Sequence, residues 1–458
     1  MSLRMTGEKR EGIEALLFDW LAETGAPGAS LVIVDEFEEM VGTGVGARDR
    51  KENDPATPDT LYGYASVTKS FTAMAILQQV AAGTIGLEDS IAEHTDANFD
   101  GIEDVTIGDL LTHTSGLPSV ATSTILISRF AEIGETGIPI STRDDLIHFL
   151  REAGAERDGL SHGRFLYNNT GYYLLEFAVE TVTGRSFTEY VESEILEPLG
   201  MARSTFDPVE AAADDDSATP YRTRDDGFEP ATFPSGDIAF GAGGLISSPR
   251  EMGHYLQYQL TGETNAGEKL LERELLAEAH EPHVDSLPHY GDGYGYGWTR
   301  RELAGTVIVG HGGSLLTSSS AVGFLPKEGV GVALGCAGQP AIHPTSILEG
   351  VVAIVLGEDP HDHQPALAYR DRVTNLTGEY RGYRNVVCAT VVDGGGHLCV
   401  DLTMGGIDEE LILVPEDPSL CSTTFTASAR GRRYPVEFVE TENGYDLFLD
   451  RYRLHKAN

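Results

Sequence analysis

The sequence predicts an α+β fold: an antiparallel sheet flanked by helices with an inserted helical lobe, followed by a small C-terminal antiparallel β barrel. Three observations lead to this prediction. Strand patterns stand at both ends of the first 357 residues, a mainly helical middle lies between them, and short alternating strands occupy the last 85 or so residues. We therefore expect a domain at 11–357, a linker at 358–372 and a barrel domain at 373–458.

The elements of the first domain follow from hydrophobic periodicity and from the residues that interrupt it. Residues 25–49 predict two strands around an acidic turn, and residues 64–86, "YASVTKSFTAMAILQQVAAGTIG", predict a buried helix. "STRDDLIHFLREAG" predicts a helix with Ser141 or Thr142 as its N-cap, and a further helix is expected from about Pro249. The later stretches "YGDGYGYGWTRR", "GTVIVGHGGS" and "SSSAVGFLPKEGVGVALGC" predict successive antiparallel strands, and "PTSILEGVVAIVLG" a closing helix.

The C-terminal region begins with "EDPHDHQPALAYRDR", which has the composition of a linker. Its His361 and His363 could bind a metal, but a solvated linker is the stronger interpretation. From Leu376 short strands alternate with turns of Gly, Asp and Asn, which predicts an antiparallel barrel or sandwich. Such a module could cap a substrate cleft or mediate oligomerisation, and the sequence does not decide between these roles.

The charge balance restricts the class of partner. The chain has 72 acidic against 32 basic residues, a net charge of −40, and only six lysines. Such a surface repels nucleic acid and anionic membranes, so we expect neither as a partner. We interpret the composition as an adaptation to high salt, in which ions screen the repulsion between carboxylates. The alternative is an ordinary acidic cytosolic protein.

Other features suggest a reduced compartment and no cofactor. The four cysteines Cys336, Cys388, Cys399 and Cys421 lack CxxC spacing and predict reduced core thiols, although one disulfide in the C-terminal region remains an alternative. No signal peptide or membrane-spanning stretch is evident, so we expect a cytoplasmic location, while export of a longer precursor stays open. The histidines of residues 280–289 are expected in a surface loop without metal-ligand spacing. No metal or organic cofactor is expected.

The first chemical feature is Ser66 followed three residues later by Lys69. Residues at i and i+3 share a helix face, and Lys69 stands on a row of apolar neighbours. Desolvation lowers the pKa of a lysine, so part of it can be neutral at pH 7 and take the proton of a serine hydroxyl. The motif alone is weak evidence, because a lysine can also extend along a helix to reach water.

Two further motifs add to this evidence. "RFLYNNTGYYLL" offers Tyr167 as a phenolate-like proton carrier and Asn169 as an amide that can hold a substrate carbonyl, although Asn-Asn-Thr-Gly is also good turn chemistry. "VIVGHGGSLLTSS" places His311, Gly313 and Ser314 after a strand. Its glycines permit close backbone approach, and the N–H of Ser314 could form an oxyanion hole with that of Ser66.

In this order and at these separations, the three motifs resemble those of the serine β-lactamase and penicillin-binding-protein superfamily. The resemblance is closest to the class C β-lactamase-related serine hydrolases, which include esterases, D-aminopeptidases and DD-peptidases. It covers about residues 11–357 and extends to "GAPGASLVIV", "IGDLLTHTSGLP", "ILEPLGMARSTF", "GAGGLISSPREM" and "YGYGW". The C-terminal module resembles, more loosely, the lipocalin-like domain of some members.

The resemblance implies a role for each motif residue. Ser66 would be the acylated nucleophile, Lys69 its base, Tyr167 a second proton carrier and Asn169 a substrate contact. His311 departs from the pattern, because the β-lactamases carry a lysine there that binds a substrate carboxylate. A histidine is mostly neutral at pH 7, which favours amide, peptide or ester substrates over β-lactams.

Alternative activities have less support. The sequence has no G-x-S-x-G elbow, H-E-x-x-H pair, Walker A loop or G-x-G-x-x-G after a strand, which disfavours α/β-hydrolase, metalloprotease, NTPase and dinucleotide-binding classes. A true class C-like β-lactamase and a catalytically silent peptide-binding member stay open. We expect a small-molecule or peptide substrate, and an oligomer is compatible with the sequence.

Overall fold

A computed structural model describes residues 3–96, 101–118, 142–151, 162–224, 227–234, 240–287, 292–404, 407–416, 423–429, 431–442 and 444–457. The internal contacts divide the chain into two compact units, Met1–Leu348 and Glu349–Asn458. The division falls within the helix Pro344–Leu356. The domain boundaries expected from the sequence stay a prediction.

The first unit is built on a nine-stranded antiparallel sheet. The strands of the unit are β1 (Gly28–Asp35), β2 (Glu39–Asp49), β3 (Asp54–Pro55), β4 (Tyr62–Gly63), β5 (Tyr221–Arg224), β6 (Gly227–Pro230), β7 (Ile246–Ser247), β8 (Val284–Leu287), β9 (Asp292–Tyr294), β10 (Thr299–Leu303), β11 (Thr306–Leu315), β12 (Ser318–Leu325) and β13 (Val330–Ala337). The strand order in the nine-stranded sheet is β3-β2-β1-β13-β12-β11-β10-β9-β8. Strands from the two ends of the unit meet at its centre, where Leu31 of β1 pairs with Leu334 of β13. This confirms the sheet expected from the separated strand patterns.

Helices cover the sheet and form the lobe inserted between its strands. The helix Pro249–Thr261, which begins where the sequence predicts it, packs on β1 and β13. Gly253 allows the close approach, since a Cβ there would lie 3.0 Å from Val34 Cγ1. The described helices of this unit are Gly7–Thr24, Thr68–Ala81, Ile107–Leu111, Arg143–Leu150, Asn169–Thr183, Phe187–Val191, Glu197–Leu199, Pro208–Ala213, Phe240–Gly243, Pro249–Thr261, Arg273–His280 and Pro344–Leu356, with 3-10 turns at Ala65–Val67 and Ile91–Glu93 and a π-helical turn at Glu192–Leu196.

Side-chain caps explain where several lobe helices begin. Thr142 accepts a hydrogen bond from the Asp145 amide, and the Asp145 carboxylate accepts one from the Thr142 amide. This capping box confirms Thr142 as one of the two N-caps expected for that helix. Thr106 with Asp109 forms the same arrangement at Ile107–Leu111. Reciprocal capping satisfies amides that the first helical turn leaves unpaired.

The second unit contains a closed eight-stranded barrel, which confirms the barrel alternative over the sandwich. Its strands are β14 (Gly378–Arg381), β15 (Val387–Asp393), β16 (Leu398–Met404), β17 (Ile407–Pro415), β18 (Thr424–Ala429), β19 (Arg432–Thr441), β20 (Gly444–Leu449) and β21 (Tyr452–Lys456). Each strand pairs with its neighbour in sequence, and β14 pairs with β21 to close the barrel. Apolar side chains that alternate along the strands fill its interior, among them Tyr380, Val400 and Leu447.

The segment interpreted as a linker is helical. It forms the helices Pro360–His363 and Pro365–Leu376, each with a proline in its first turn after a capping side chain. Proline suits this position because the first-turn amide has no helical partner. Leu376 at the end of the second helix is buried in the barrel core, so the segment packs within the second unit.

The cysteine and histidine expectations have mixed outcomes. Cys336, Cys388 and Cys399 are free thiols, while Cys421 lies outside the described residues. The expected histidine loop is wrong for His280, which ends a helix, is buried, and contacts the Gln259 side chain at 2.7 Å; His289 lies outside the described part of the chain. Among the described residues no cluster of His, Cys, Asp and Glu could hold a metal ion, and no helix is long and apolar enough to cross a membrane.

Candidate active site

Ser66 lies in a tight turn at the start of the apolar helix. Ala65 has a φ of +49°, in the left-handed region, and begins the 3-10 turn Ala65–Val67. The Thr68 hydroxyl donates to the Ala65 carbonyl at 2.6 Å, and the helix Thr68–Ala81 follows directly. Ser66 therefore belongs to the turn rather than to the helix, with its partly exposed side chain at the N-terminal end of the helix.

Lys69 occupies the first turn of that helix and is completely buried, with 0% of its surface exposed. Its Nζ lies 3.0 Å from Ser66 Oγ and 2.7 Å from the Ala242 carbonyl oxygen. The same nitrogen stands 4.9 Å from the centre of the Tyr167 ring and 5.4 Å from that of Tyr172. The structure thus brings three of the expected site residues, Ser66, Lys69 and Tyr167, together.

Burial changes the acid–base behaviour of Lys69. Because the ammonium loses its hydration, the pKa of Lys69 falls well below its ordinary 10.5. Among the described residues no carboxylate forms an ion pair with Lys69 to oppose this effect. A neutral amine has a free electron pair, so at the observed 3.0 Å separation the Ser66 hydroxyl can donate its proton to Nζ.

Tyr167 precedes the helix Asn169–Thr183 and is partly buried. Burial raises the pKa of its hydroxyl above the usual range, and the nearby Ser66 side chain lowers it in part. The balance favours the neutral phenol in the resting protein, rather than the phenolate-like form expected from the sequence. Tyr167 therefore lies near Ser66 with a proton on its hydroxyl, and its role in the reaction stays a proposal.

The two asparagines after Tyr167 have different positions. Asn168 is the N-cap of the helix: its side-chain oxygen accepts from the Thr170 amide at 2.9 Å, and its Nδ2 donates to the Leu117 carbonyl. Asn169 is the first residue of the helix and is partly exposed. Turn chemistry therefore explains Asn168, and the role of Asn169 as a substrate contact stays a proposal.

His311 lies on β11 and is held on both sides of its ring. Its Nδ1 donates to the Gly312 carbonyl at 2.7 Å, which leaves Nε2 to accept from the Tyr294 hydroxyl at 3.1 Å. Burial, with a smaller effect of the Lys69 charge, lowers the pKa of His311 to about 3. The ring is therefore neutral at physiological pH, and the Tyr294 hydroxyl already occupies Nε2.

Gly313 brings β11 against the turn that carries Ser66. A Cβ at Gly313 would lie 2.1 Å from the Tyr64 carbonyl oxygen, so only glycine permits this approach. The Ser320 hydroxyl of β12 donates to the same carbonyl at 2.9 Å. The next residue, Ser314, has an exposed side chain, and its hydroxyl accepts a hydrogen bond from the side-chain Nε2 of Gln339. The role of the Ser314 backbone N–H in an oxyanion hole stays a proposal.

Sequence reasoning missed several side chains that surround these residues. His113 and Tyr294 fell within "IGDLLTHTSGLP" and "YGYGW", and their buried rings lie 4.9 Å apart. Glu176 accepts from the Gly241 amide at 2.8 Å and so supports the segment whose Ala242 carbonyl binds Lys69. No spacing rule signals such contacts, because they join residues that are far apart in the chain.

Two protein-family models match this chain, one over each part of it. The family model described as beta-lactamase matches residues 13–354, and the model described as Pab87 octamerisation domain matches residues 360–455. A curated relative, Protein flp of Staphylococcus aureus, is 27% identical over 341 residues, which are 72% of this chain and 63% of that protein. The chain thus spans less than two thirds of the length of that curated relative.

Solved structures extend the likeness to both units. The octameric penicillin-binding protein homologue from Pyrococcus abyssi has a TM-score of 0.85 and 31% identity, covering 97% of this chain and 99% of that one. The D-amino acid amidase from Ochrobactrum anthropi SV3 has a TM-score of 0.63 and 26% identity, covering 77% of this chain and 98% of that one.

Proposed function

The chain belongs to the beta-lactamase family, and on that premise we propose that it is a serine hydrolase that forms an acyl-enzyme on Ser66. The observation that carries the proposal is the completely buried Lys69, whose Nζ lies 3.0 Å from Ser66 Oγ without a carboxylate partner among the described residues. A buried amine with this geometry is expected to act as the base that activates the serine. A buried lysine with only a structural role would be expected to form an ion pair, because a buried charge without a partner destabilises the fold.

In the proposed reaction, Ser66 Oγ attacks the substrate carbonyl carbon while its proton passes to Lys69 Nζ. The oxyanion lies between the backbone N–H groups of Ser66 and Ser314. The neutral phenol of Tyr167 donates a proton to the leaving group and recovers one from the Lys69 ammonium. Water then attacks the acyl group, and Ser66 is released. Asn169 contacts the amide portion of the substrate.

For the substrate, we propose amide, peptide or ester bonds rather than β-lactams. His311 replaces the cation that would bind a β-lactam carboxylate, and its ring is neutral, buried and already hydrogen-bonded to Tyr294. The likeness to a D-amino acid amidase also supports an amide substrate. Efficient β-lactam hydrolysis is the alternative, and it predicts rapid turnover of a penicillin.

Intact-protein mass spectrometry tests this proposal directly. Folded wild-type protein and Ser66→Ala are incubated in molar KCl with a fluorophosphonate and, separately, with a penicillin. We expect the fluorophosphonate mass on wild type alone, and little acylation by penicillin. Absence of a fluorophosphonate adduct on folded wild type would contradict the proposal and favour a silent binding protein. Rapid penicillin turnover would favour the β-lactamase alternative.

We further propose that the second unit assembles copies of this chain. The octamerisation family model and the octameric relative support this, and the barrel carries exposed apolar side chains. Ile412 and Val414 on β17 are 50% and 56% exposed, and they alternate with the buried Leu411 and Leu413. Both side chains point outward from the same strand, and contiguous exposed apolar side chains mark protein–protein interaction sites.

Light scattering coupled to size-exclusion chromatography tests the assembly. Ile412→Glu with Val414→Glu should reduce the mass of the particle, because burying two carboxylates in an apolar interface is costly. Phe18→Glu is the matched control, since Phe18 is 63% exposed in the first unit. A monomeric wild type, or an unchanged mass in the double variant, would contradict the proposed face.

A further inference from the structure

His113 has an unusual backbone conformation beside the proposed site. It follows the helix Ile107–Leu111, has a φ of +59° and is only 1% exposed. Histidine tolerates the left-handed region better than most residues, but such a position still carries strain. The contacts around His113 must therefore hold it in this conformation.

His113 packs among several aromatic rings, and three of its contacts hold Tyr167 or the amides beside it. The Leu166 amide donates to the His113 carbonyl at 2.9 Å, and the Asn168 amide donates to His113 Nδ1 at 3.1 Å. The imidazole ring also packs against the Tyr167 ring, with centres 4.3 Å apart. One residue thus holds the amides on both sides of Tyr167 and one face of its side chain.

We propose that His113 is a positioning residue that sets the Tyr167 hydroxyl for proton transfer at Ser66. This inference rests on the proposed function, because it assumes that Tyr167 carries a proton in the reaction. General acid catalysis requires the donor within hydrogen-bond reach of the reacting atom. A backbone held at the amides on both sides of Tyr167 fixes its Cα, and the ring contact limits the rotation of its side chain.

The tautomer of His113 follows from the same contacts. Nδ1 accepts an amide hydrogen, so a neutral ring carries its proton on Nε2. Burial is the main cause that keeps the pKa of His113 well below 6.5, so the ring stays neutral. Nε2 is buried and has no hydrogen-bond partner among the described residues. A buried N–H without a partner costs stability. We therefore attribute the presence of histidine here to Nδ1, which accepts the hydrogen bond from the Asn168 amide.

A double-mutant cycle tests the proposal. The rate of Ser66 acylation by a fluorophosphonate is measured by intact mass for wild type, His113→Phe, Tyr167→Phe and the double variant. His113→Phe keeps a ring against Tyr167 but removes the acceptor of the Asn168 amide. We expect it to lower the rate by about 100-fold when Tyr167 is present, the size expected of a displaced catalytic group, and by less than about threefold in the Tyr167→Phe background.

A second variant separates positioning from folding. His113→Asn tolerates the left-handed backbone and offers a side-chain oxygen to the Asn168 amide, so we expect it to recover at least about tenfold of the rate lost in His113→Phe. Equal losses in both Tyr167 backgrounds, or no recovery in His113→Asn, would overturn the proposal while wild-type labelling still supports the hydrolase. Absence of labelling in folded wild type would overturn both.

Discussion

Glu176 is expected to make the stability of the first unit depend on pH. It lies in the helix Asn169–Thr183 with 3% of its surface exposed, and its Oε2 accepts from the Gly241 amide. Burial raises the pKa of its carboxyl from 4.5 to about 8. The folded protein therefore keeps a proton that the unfolded chain releases near pH 4.5. The substitution Glu176→Gln tests for this proton, because the glutamine side chain has the shape of a protonated glutamate and does not titrate.

The magnitude follows from the two pKa values. Between about pH 4.5 and 8 the folded state binds one more proton than the unfolded state, so the free energy of unfolding falls as the pH rises. One pKa unit corresponds to about 1.4 kcal/mol, which gives a loss of at most about 5 kcal/mol across this window. The stabilisation is complete below pH 4.5 and lost above pH 8. Glu176→Gln should match wild type near pH 4.5 and exceed it at pH 8.5.

Urea unfolding followed by tryptophan fluorescence measures this difference. The two tryptophans of the sequence, Trp20 and Trp298, are both buried in the first unit, so the signal reports that unit. Wild type and Glu176→Gln are compared at pH 4.5 and 8.5 in the same KCl concentration.

A second variant separates the charge from the hydrogen bond. Glu176→Leu also removes the titration but leaves the Gly241 amide unpaired, which should cost about 1–3 kcal/mol at both pH values. If wild type and Glu176→Gln lose stability equally between pH 4.5 and 8.5, Glu176 does not hold a proton in the folded state and the reasoning is refuted.

Three further predictions concern the base, the strand approach and the charge. Lys69→Arg should abolish fluorophosphonate labelling of Ser66, because a guanidinium stays protonated. The labelling rate of the wild type should rise with pH well below the range in which a free lysine loses its proton. A rise only near pH 10.5 would contradict the role of Lys69 as a buried base. Gly313→Ala should slow labelling by about 100-fold because its Cβ would displace β11 from the Tyr64 carbonyl, whereas Gly7→Ala, with no atom near the new methyl, should not. The melting temperature should rise with KCl, because screening weakens the repulsion within a chain of net charge −40, and a melting temperature indifferent to salt would contradict the proposed adaptation.

Local patterns in the sequence were sufficient for much of the fold. The alternating strands, the Thr142 cap and the helix from Pro249 depend on residues a few positions apart, and the structure confirms each. The helices Pro360–His363 and Pro365–Leu376 were missed because their charged and histidine-rich composition is typical of a linker. The proline in the first turn of each, after a capping side chain, was the signal for a helix. Composition describes how a segment interacts with water, whereas the caps decide whether it is helical.

The site was predictable in part, for a related reason. Ser66 and Lys69 are three residues apart, so their proximity follows from the 3-10 turn that leads into the helix. The contact of His311 with Tyr294 depends on the order of strands in the sheet, and the two amides held by His113 depend on a backbone conformation that no motif specifies. The protonation state of Tyr167 also depends on burial, which no motif shows. Burial raises the pKa of its hydroxyl and favours the neutral phenol over the phenolate-like form expected from the sequence.

The pairing of β1 with β13 has a consequence for synthesis on the ribosome. Leu31 emerges early, but its partner Leu334 follows about 300 residues later. At translation rates of about 5–20 residues per second, β1 waits roughly 15–60 seconds with one edge unpaired. An unpaired strand edge is a site of aggregation, and acidic side chains beside it oppose that. The carboxylates of Asp35, Glu36, Glu38 and Glu39, at the tip of the β1–β2 hairpin, would thus protect the nascent chain until β13 arrives.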